Sequence, residues 1–341
     1  MKPSYNFALF VLLIFGSCSR TVYVPVMRPA AVDVGPHIQT IAVIDRTTPE
    51  DARAGIAESV LTGSLPGTDR EGAQRSVEGL VRTLENSPRY NVVRTAERLT
   101  TPVIGGSWPP PLEWGDVVDL SVKYRSDAIL VLESFDSDFV VTDGASVVSR
   151  KVEGREVPRR EFYAEGVATV RLGYRLYDPK FRSVADEYMF SHVARWEASG
   201  SALQMIAGSL IDHRQAVNDA GFQSGIIYAE RISPQWIRLN RDFFTRGRGS
   251  DFKTGVRRAT VNDWHGATEM WHRSVNSRSR KTAGRSAYNL ALMYEIEGDL
   301  YGARDWAQRS YTDFRIRKAR KYVSALERRI RAQRIADEQL R

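Results

Sequence analysis

Hydrophobic and polar positions recur in patterns that divide the chain into strands and helices. Residues 40–45 ("TIAVID") form a short apolar run rich in β-branched side chains, which predicts a buried strand. From Thr68 onward apolar residues recur at helical spacing, which predicts a helix that ends near residue 87. A short strand over 90–93 and a second helix over 114–124 are predicted next.

The middle of the chain contains three further strand patterns. Residues 127–141 begin as a continuous apolar run and then alternate, which is typical of a strand that is buried first and half-solvated later. Residues 164–178 also alternate, Asp178-Pro179 follows as a turn signal, and residues 187–196 are predicted as a second strand, so the two segments predict an antiparallel hairpin. The order of elements predicts a mixed β-sheet with packed helices.

A long helical pattern follows the hairpin, from Ala202 to about Ala229. It contains Gly221 and Gly225, a pair of small residues four positions apart. Arg214, Asp219 and Glu230 in the same segment exclude a membrane span. The two glycines are therefore expected to let another element approach the helix closely.

The strongest internal pattern lies in residues 286–311, which have the spacing of a tetratricopeptide repeat. Such a repeat needs small residues where two antiparallel helices cross and a Gly-Asp turn between them. A related pattern occurs 36 residues earlier, where Asp263 and Ala267 match Asp299 and Ala303. The residues expected to pack the two repeats are Ala267, Trp271, Leu290, Ala291, Tyr294, Gly298, Ala303 and Ala307.

The first helices of tetratricopeptide repeats line a concave groove that commonly binds peptides. By register, five residues are predicted to face such a groove in this chain: Arg285, Tyr288, Asn289, Leu292 and Glu295. Two repeats are fewer than an independent solenoid usually needs. The alternative is that the groove is filled by the following helix or by the sheet domain.

The single cysteine of the chain, Cys18, follows an apolar core over 7–15 and the small residues Gly16 and Ser17. This order is typical of a secretory signal, and the core is too short for a permanent membrane helix. The tetrapeptide at 15–18 resembles a bacterial lipobox, which implies that Cys18 is acylated and becomes the new N-terminus. A plain secretory signal remains the alternative.

The lipobox resemblance implies a location. Two or more acyl chains hold a protein stably on a membrane, whereas one chain holds it weakly. Surface-export signals of Bacteroidota lipoproteins are typically acidic directly after the cysteine. Residues 19–21 contain no acidic run, which argues against export to the cell surface. We therefore expect a lipid-anchored protein of the cell envelope, at the outer membrane and facing the periplasm.

Composition changes this picture in one respect, the distribution of charge. The 341 residues are 42% hydrophobic and 26% charged, which is ordinary for a globular protein, and the net charge is +8. Residues 315–341 hold ten basic and three acidic residues, a net charge of +7, on a predicted amphipathic helix. An exported protein rarely meets nucleic acid, so no nucleic-acid partner is expected. Acidic lipid headgroups, an acidic protein and simple solvation of the helix remain open.

The patterns predict an α+β or α/β fold, namely a mixed β-sheet with packed helices followed by an all-α tetratricopeptide-like region. The signal peptide is assigned to 1–17 and a tether to 18–37. The remaining assignments are an α/β domain over 38–235, a connection over 236–247, two repeats over 248–317, and a basic capping helix and tail over 318–341.

Motifs for catalysis are absent from the sequence. The five histidines form no HExxH or other ligand-spaced set, and there is no GxSxG elbow, Walker loop or GxGxxG. The best acidic cluster is Glu133, Asp136 and Asp138, which would suit acid–base work or a hard cation. Asp136 and Asp138 fall on the strand face assigned to solvent, so no catalytic residue, metal site or cofactor is predicted.

Four segments together resemble an uncharacterised family of Bacteroidota lipoproteins: "IAVIDRT", "PPPLEW", "SDAILVLESFDSDF" and "YNLALMYEIEGDL". That family combines an N-terminal α/β domain with C-terminal tetratricopeptide-like helices. The resemblance implies an envelope location and an architecture but no activity. We expect a membrane-anchored scaffold or assembly factor that binds a protein partner. The alternative is a cell-envelope hydrolase with its site in the α/β domain.

Overall fold

The computed structural model describes residues 19–47, 67–99, 108–152, 155–200 and 212–341. The chain divides into two compact units. The helical unit contains the described residues up to Arg28 together with Trp236–Ile335. The sheet unit contains Pro29–Gln235 and Ala336–Arg341. The predicted signal peptide and Cys18 lie outside the described residues.

The sheet unit is built on a five-stranded mixed sheet in the order β3-β2-β4-β5-β6. Strand β2 pairs in parallel with β3 and β4, whereas β4–β5 and β5–β6 are antiparallel. The strands are β2 Thr40–Asp45, β3 Asn91–Arg98, β4 Ala128–Val152, β5 Arg155–Asp178 and β6 Ser183–Gly200, and the helices are α1 Thr68–Glu85, α2 Trp114–Tyr124 and α3 His213–Ile232. The predicted mixed sheet with packed helices is confirmed, and the architecture is α+β.

Side-chain alternation along β2 and β4 places apolar residues on both faces of the sheet, as a covered parallel core requires. Ile41 and Val43 face a core that also contains Leu80 of α1 and Tyr228 of α3. On the opposite face, residues such as Ile44 pack with α2. The parallel strands are therefore covered by helices on both sides, which explains the uninterrupted apolar runs in their sequences.

Helices α1 and α3 approach so closely that only glycine fits at the contact. A Cβ atom on Gly225 would overlap the carbonyl oxygen of Ser76, and one on Gly221 would overlap the carbonyl oxygen of Gly72. The expected close approach at the two glycines is thus confirmed, and α1 is the approaching element. Residues 202–211 of the predicted helix lie outside the described part of the chain.

The helical unit consists of a two-stranded sheet and a series of helices. Strand β1 (Ser19–Arg28) pairs with β7 (Gln235–Phe244). The helices are α4 Ser250–Thr260, α5 Trp264–Ser274, α6 Arg280–Glu297, α7 Leu300–Thr312 and α8 Arg317–Gln339. An all-helical C-terminal region is therefore confirmed.

Two sequence assignments are corrected by β1 and β7. Residues 19–28 belong to a strand and not to a tether, because Val24 and Val26 alternate into the core of the helical unit. Residues 236–244 of the predicted connection form most of β7, with Phe243 in the same core. Pro25 obscured the first strand in the sequence, and its side chain is exposed in a two-stranded sheet, where proline is tolerated better than in a central strand.

Helix caps of the helical unit follow the predicted turn chemistry. Asp299 caps α7 by accepting a hydrogen bond from the Gly302 N–H at 2.8 Å, and Asp263 caps α5 by accepting one from Gly266 N–H at 3.0 Å. Gly298 ends α6 in the left-handed region with φ of 87°. Helix boundaries therefore lie where the repeat pattern predicts the turns.

Candidate functional site

Glu133 is the most enclosed acidic side chain among the described residues of the sheet unit. Its side chain has 0% exposure and lies on β4, beside Arg46, which follows directly after β2. Arg46 Nη1 donates to Glu133 Oε2 at 2.8 Å, and the Tyr177 hydroxyl donates to Oε1 at 2.5 Å. Arg175 Nη1 lies 3.4 Å from Oε1. The edge formed by the carboxyl ends of parallel strands is where α/β proteins often bind ligands.

A proline-rich loop closes over this carboxylate. Arg46 and Arg175 donate to the carbonyl oxygens of Pro110 and Pro109, each at 2.8 Å. The Arg175 guanidinium lies over the Trp108 ring, with its Cζ atom 4.4 Å from the centre of the ring. The polar groups around Glu133 therefore bind one another and the loop, and they hold β2, β4, β5 and the loop together. We call a buried carboxylate that joins several elements in this way an internal lock.

Electrostatics around Glu133 agree with a structural role. Burial, together with the hydrogen bond to Glu133, raises the pKa of Tyr177 to about 12, so the phenol is a hydrogen-bond donor at neutral pH. Arg175 also donates from Nε to Glu187 at 2.6 Å, which ties β5 to β6. The geometry stabilises a carboxylate and offers no free base.

The acidic cluster proposed from the sequence is not assembled. Asp136 pairs with Arg171 at 2.8 Å on an exposed face, where both side chains are 55% exposed. Asp138 is also exposed, whereas Glu133 is enclosed. Among the described residues, no group of three or more His, Cys, Asp or Glu side chains is placed to hold a metal ion.

A histidine–aspartate pair is a second arrangement with acid–base character in the described part of the sheet unit. His37 Nε2 lies 2.7 Å from Asp178 Oδ2. The other oxygen, Oδ1, accepts from the backbone N–H groups of Lys180 at 2.9 Å and Phe181 at 3.2 Å. The His37 ring also packs edge-on against Phe181. These contacts fasten the segment before β2 to the β5–β6 turn.

The five residues predicted to face a peptide groove are covered by this chain. Tyr288, Asn289, Leu292 and Glu295 are buried on α6, and Arg285 is half-buried. Arg285 donates to the carbonyl oxygen of Arg246 and lies over the Phe244 ring. The surface assigned to a peptide is therefore filled from within the helical unit, by β7 and by α8. The alternative interpretation named the following helix, which is α8, but it did not name β7.

The end of β7 covers one part of this surface. The Asn289 carboxamide accepts from Phe244 N–H at 2.7 Å and donates to the Phe244 carbonyl at 2.9 Å. Phe244 packs edge-on against Tyr288 with ring centres 5.0 Å apart. Asn289 thus bonds to β7 as a neighbouring strand would.

Glu295 joins β7, α6 and α8 through a second buried carboxylate. Arg241 donates to it through Nε at 2.8 Å and Nη2 at 3.0 Å, a bidentate pair. The Tyr322 hydroxyl donates at 2.6 Å and Arg329 Nη1 lies at 2.7 Å. Burial raises the pKa of Glu295, but the hydrogen bonds from Arg241 and Tyr322 and the charge of Arg241 outweigh it and hold the pKa below its ordinary value.

The residues predicted to pack the repeats lie largely in the interior. Those with 0% exposure are Ala267, Trp271, Leu290, Ala291, Ala303 and Ala307. Tyr294 is half-buried, with its ring tilted against that of Trp306, and Gly298 is exposed at its turn. Small side chains at the helix crossings allow α5, α6 and α7 to pack closely.

A feature that sequence reasoning missed is a long two-stranded ribbon at the end of β4 and β5. The described pairing of β6 reaches Gly200, opposite Phe162. Beyond this point residues 146–152 and 155–161 pair only with each other among the described residues, for seven residue pairs. We call these residues the ribbon. It extends about 20 Å beyond the last described pairing of β6, at roughly 3.3 Å per residue.

The ribbon exposes apolar side chains on both faces. Val147 is 71% exposed and Val148 is 38% exposed, and they point to opposite faces because they are adjacent in a strand. Two-stranded ribbons without a packed face are marginally stable in water. The predicted strands end at 141 and begin at 164, because glycine, proline and charged residues interrupt the apolar alternation between them.

Fold and interior together define an α+β protein in which two buried carboxylates serve as internal locks. The chain belongs to the family described as a domain of unknown function, DUF8603, which matches residues 38–244. A second domain of unknown function, DUF6340, matches residues 253–328. Neither match identifies a catalytic family. No curated protein matches the chain.

Solved structures offer only distant likenesses. The chain is similar to the PelC dodecamer from Paraburkholderia phytofirmans, with a TM-score of 0.23, 10% sequence identity and coverage of 64% of this chain and 99% of that chain. It is also similar to a neuraminyllactose-binding hemagglutinin homolog from Helicobacter pylori, with a TM-score of 0.25, 11% identity and coverage of 59% and 85%. Neither likeness bears on function at these values. Among the described residues, no helix combines the length and apolar character needed to span a bilayer.

Proposed function

We propose that the protein is a membrane-anchored cell-envelope lipoprotein, of the Bacteroidota type, that acts as a non-catalytic scaffold or assembly factor. In this proposal Cys18 carries the lipid, and the protein faces the periplasm from the outer membrane. The partner is a protein, and it binds to the ribbon of the sheet unit. The tetratricopeptide-like helices form a closed module that supports this role.

The exposed ribbon is the observation that carries the proposal. A ribbon of seven residue pairs, with Val147 and Val148 exposed on opposite faces, gains stability when another chain packs against it or adds a strand to it. The helical groove offers no comparable surface, because Asn289 and Glu295 are engaged by β7 and α8. The protein-binding surface is therefore assigned to the sheet unit.

A non-catalytic role is supported by the state of the buried acids. Glu133 and Glu295 each have two arginines and a tyrosine hydroxyl as partners. A general base needs a proton-accepting atom that a substrate can reach. Both carboxylates are instead saturated by donors from this chain and enclosed.

Site-specific photocrosslinking in intact cells tests the proposal. A photoreactive residue at Val147 is expected to give one discrete protein adduct. The matched control is Val261, which is 72% exposed and lies between α4 and α5 of the helical unit. The control is expected to give no such adduct. Absence of an adduct at Val147, or the same adducts at both positions, would overturn partner binding by the ribbon.

A further inference from the structure

Charge is distributed unequally between the two units. The described residues of the helical unit, 19–28 and 236–335, contain twenty-five basic and ten acidic residues, a net charge of +15. Because the whole chain has a net charge of +8, the remaining residues are net negative by seven charges. The basic character therefore belongs to the whole helical unit and not only to the C-terminal tail. A unit of this charge is attracted to anionic surfaces.

Part of this charge is ordered as a stripe along α8. Arg317, Arg320, Lys321, Arg328 and Arg331 are exposed and lie within one face at helical spacing. The opposite face is fixed by the buried residues Ala319, Tyr322 and Leu326. None of the five basic residues forms a salt bridge with a described residue. We call these five residues the basic stripe.

The beginning of the stripe adjoins the strand that follows Cys18. Lys318 Nζ donates to Asp242 Oδ2 at 2.7 Å, and Thr21 Oγ1 donates to Oδ1 of the same carboxylate at 2.9 Å. Thr21 is three residues from Cys18, so a fully extended chain separates them by about 10 Å at most. A lipid on Cys18 would therefore bring the start of α8 close to the membrane surface.

The outer face of the β1–β7 sheet has the composition of a membrane-interface surface. Tyr23 is on the same side of β1 as Thr21 and is 65% exposed. Trp236 is on the same side of β7 as Asp242 and is 61% exposed. Arg238 lies between Trp236 and Asp242 in the sequence of β7 and is exposed. Tyrosine and tryptophan at headgroup level and nearby basic residues are typical of proteins in contact with bilayers.

From these observations we infer that the outer face of the β1–β7 sheet and the basic stripe of α8 form one surface that binds anionic phospholipid headgroups. Tyr23 and Trp236 enter the interfacial layer, and Arg317 and Lys321 contact phosphates. The inference deepens the proposed function, because the lipid on Cys18 would hold this surface against the bilayer. It differs from that proposal in requiring affinity without the lipid.

Vesicle co-sedimentation of the unacylated chain tests the inference separately from acylation. Residues 18–341 carrying Cys18→Ser are mixed with vesicles rich in phosphatidylglycerol or made of phosphatidylcholine alone. We expect binding to the anionic vesicles only, with a steep decrease as salt is added. Equal binding to both vesicles, or no binding to either at low salt, would overturn the inference and leave the proposed acylation and scaffold role standing.

Charge-reversal variants locate the binding surface. The variant Lys321→Glu, Arg328→Glu, Arg331→Glu is expected to bind anionic vesicles at least about tenfold more weakly, because each basic residue near the surface contributes to attraction. The matched control Arg70→Glu, Arg125→Glu, Arg182→Glu changes the net charge equally in the sheet unit and is expected to retain most binding. Trp236→Ser is expected to weaken binding to the same vesicles. Equal losses in the stripe variant and the control would contradict a defined surface.

Discussion

Asn289 forms two hydrogen bonds with the backbone of Phe244, accepting from its N–H at 2.7 Å and donating to its carbonyl at 2.9 Å. A side chain on α6 thereby provides hydrogen-bond partners for the backbone N–H and carbonyl of the last residue of β7. The contact holds the end of β7 against α6, at the surface where the sequence predicted a peptide groove.

Asn289→Ala is expected to destabilise the protein by about 1–3 kcal/mol, because two partly buried backbone groups of Phe244 would lose their partners. Urea denaturation followed by circular dichroism measures the change. Asn240→Ala is the matched control, since Asn240 lies on the same strand and is exposed. Similar losses in both variants would show that the Asn289 contact has no special importance.

The stability of the protein is expected to fall in acid because of Glu295. Its folded-state pKa lies below the ordinary value of 4.5, so the unfolded chain binds more protons between the two values. The contribution is therefore complete above about pH 4.5 and is lost as the pH falls through the folded-state pKa. Denaturation midpoints measured across this pH range give the slope of stability against pH.

Glu295→Gln is expected to reduce that slope, and it also lowers stability at neutral pH because Arg241 and Arg329 lose a buried counter-charge. Glu297→Gln, an exposed change two residues away, is expected to leave both quantities nearly unchanged. An unchanged acid slope in Glu295→Gln would contradict the assignment.

Gly225→Ala is expected to destabilise the sheet unit by about 2–4 kcal/mol, because the added Cβ would overlap the Ser76 carbonyl and separate α1 from α3. Gly115→Ala in α2 has no atom within 4 Å of the added Cβ. It is expected to stabilise the protein by about 0.5–1 kcal/mol through helix propensity. Thermal unfolding of the two variants should therefore shift in opposite directions, and a shift in the same direction would contradict the packing.

Arg46→Met is expected to cost about 3–5 kcal/mol, because it leaves the buried Glu133 carboxylate short of a counter-charge. Arg171→Met removes an exposed partner of Asp136 and is expected to cost less than about 1 kcal/mol. Chemical denaturation of both variants makes the comparison. Equal costs would show that Glu133 is not an internal lock.

Local patterns predicted the elements whose residues pack within short segments. The helix over 114–124 and the strand over 40–45 are confirmed at both ends, because helical spacing and β-branched runs are local properties. Gly221 and Gly225 correctly indicated a close helix crossing. The Gly-Asp turn at 298–299 was also predicted, since its capping chemistry depends on neighbouring residues.

Features that depend on distant residues escaped prediction. Glu295 accepts hydrogen bonds from Arg241, which is 54 positions away in sequence, and from Tyr322, which is 27 positions away. Glu133 was recognised as acidic, but its partner Arg46 is 87 positions away, so its enclosure was invisible. Strand β7 did carry a local signal, because Ile237, Leu239 and Phe243 fall on one face, yet its partner β1 lies more than 200 residues earlier.

Mass spectrometry of the N-terminal peptide from the membrane fraction shows whether a lipid anchors the protein. We expect the mature chain to begin at Cys18 and to carry two or three acyl chains, and we expect Cys18→Ser to move the protein to the soluble fraction. A mature chain that retains an unmodified thiol at Cys18, or that is recovered free of membranes, would rule out the lipid anchor and with it the proposed envelope scaffold.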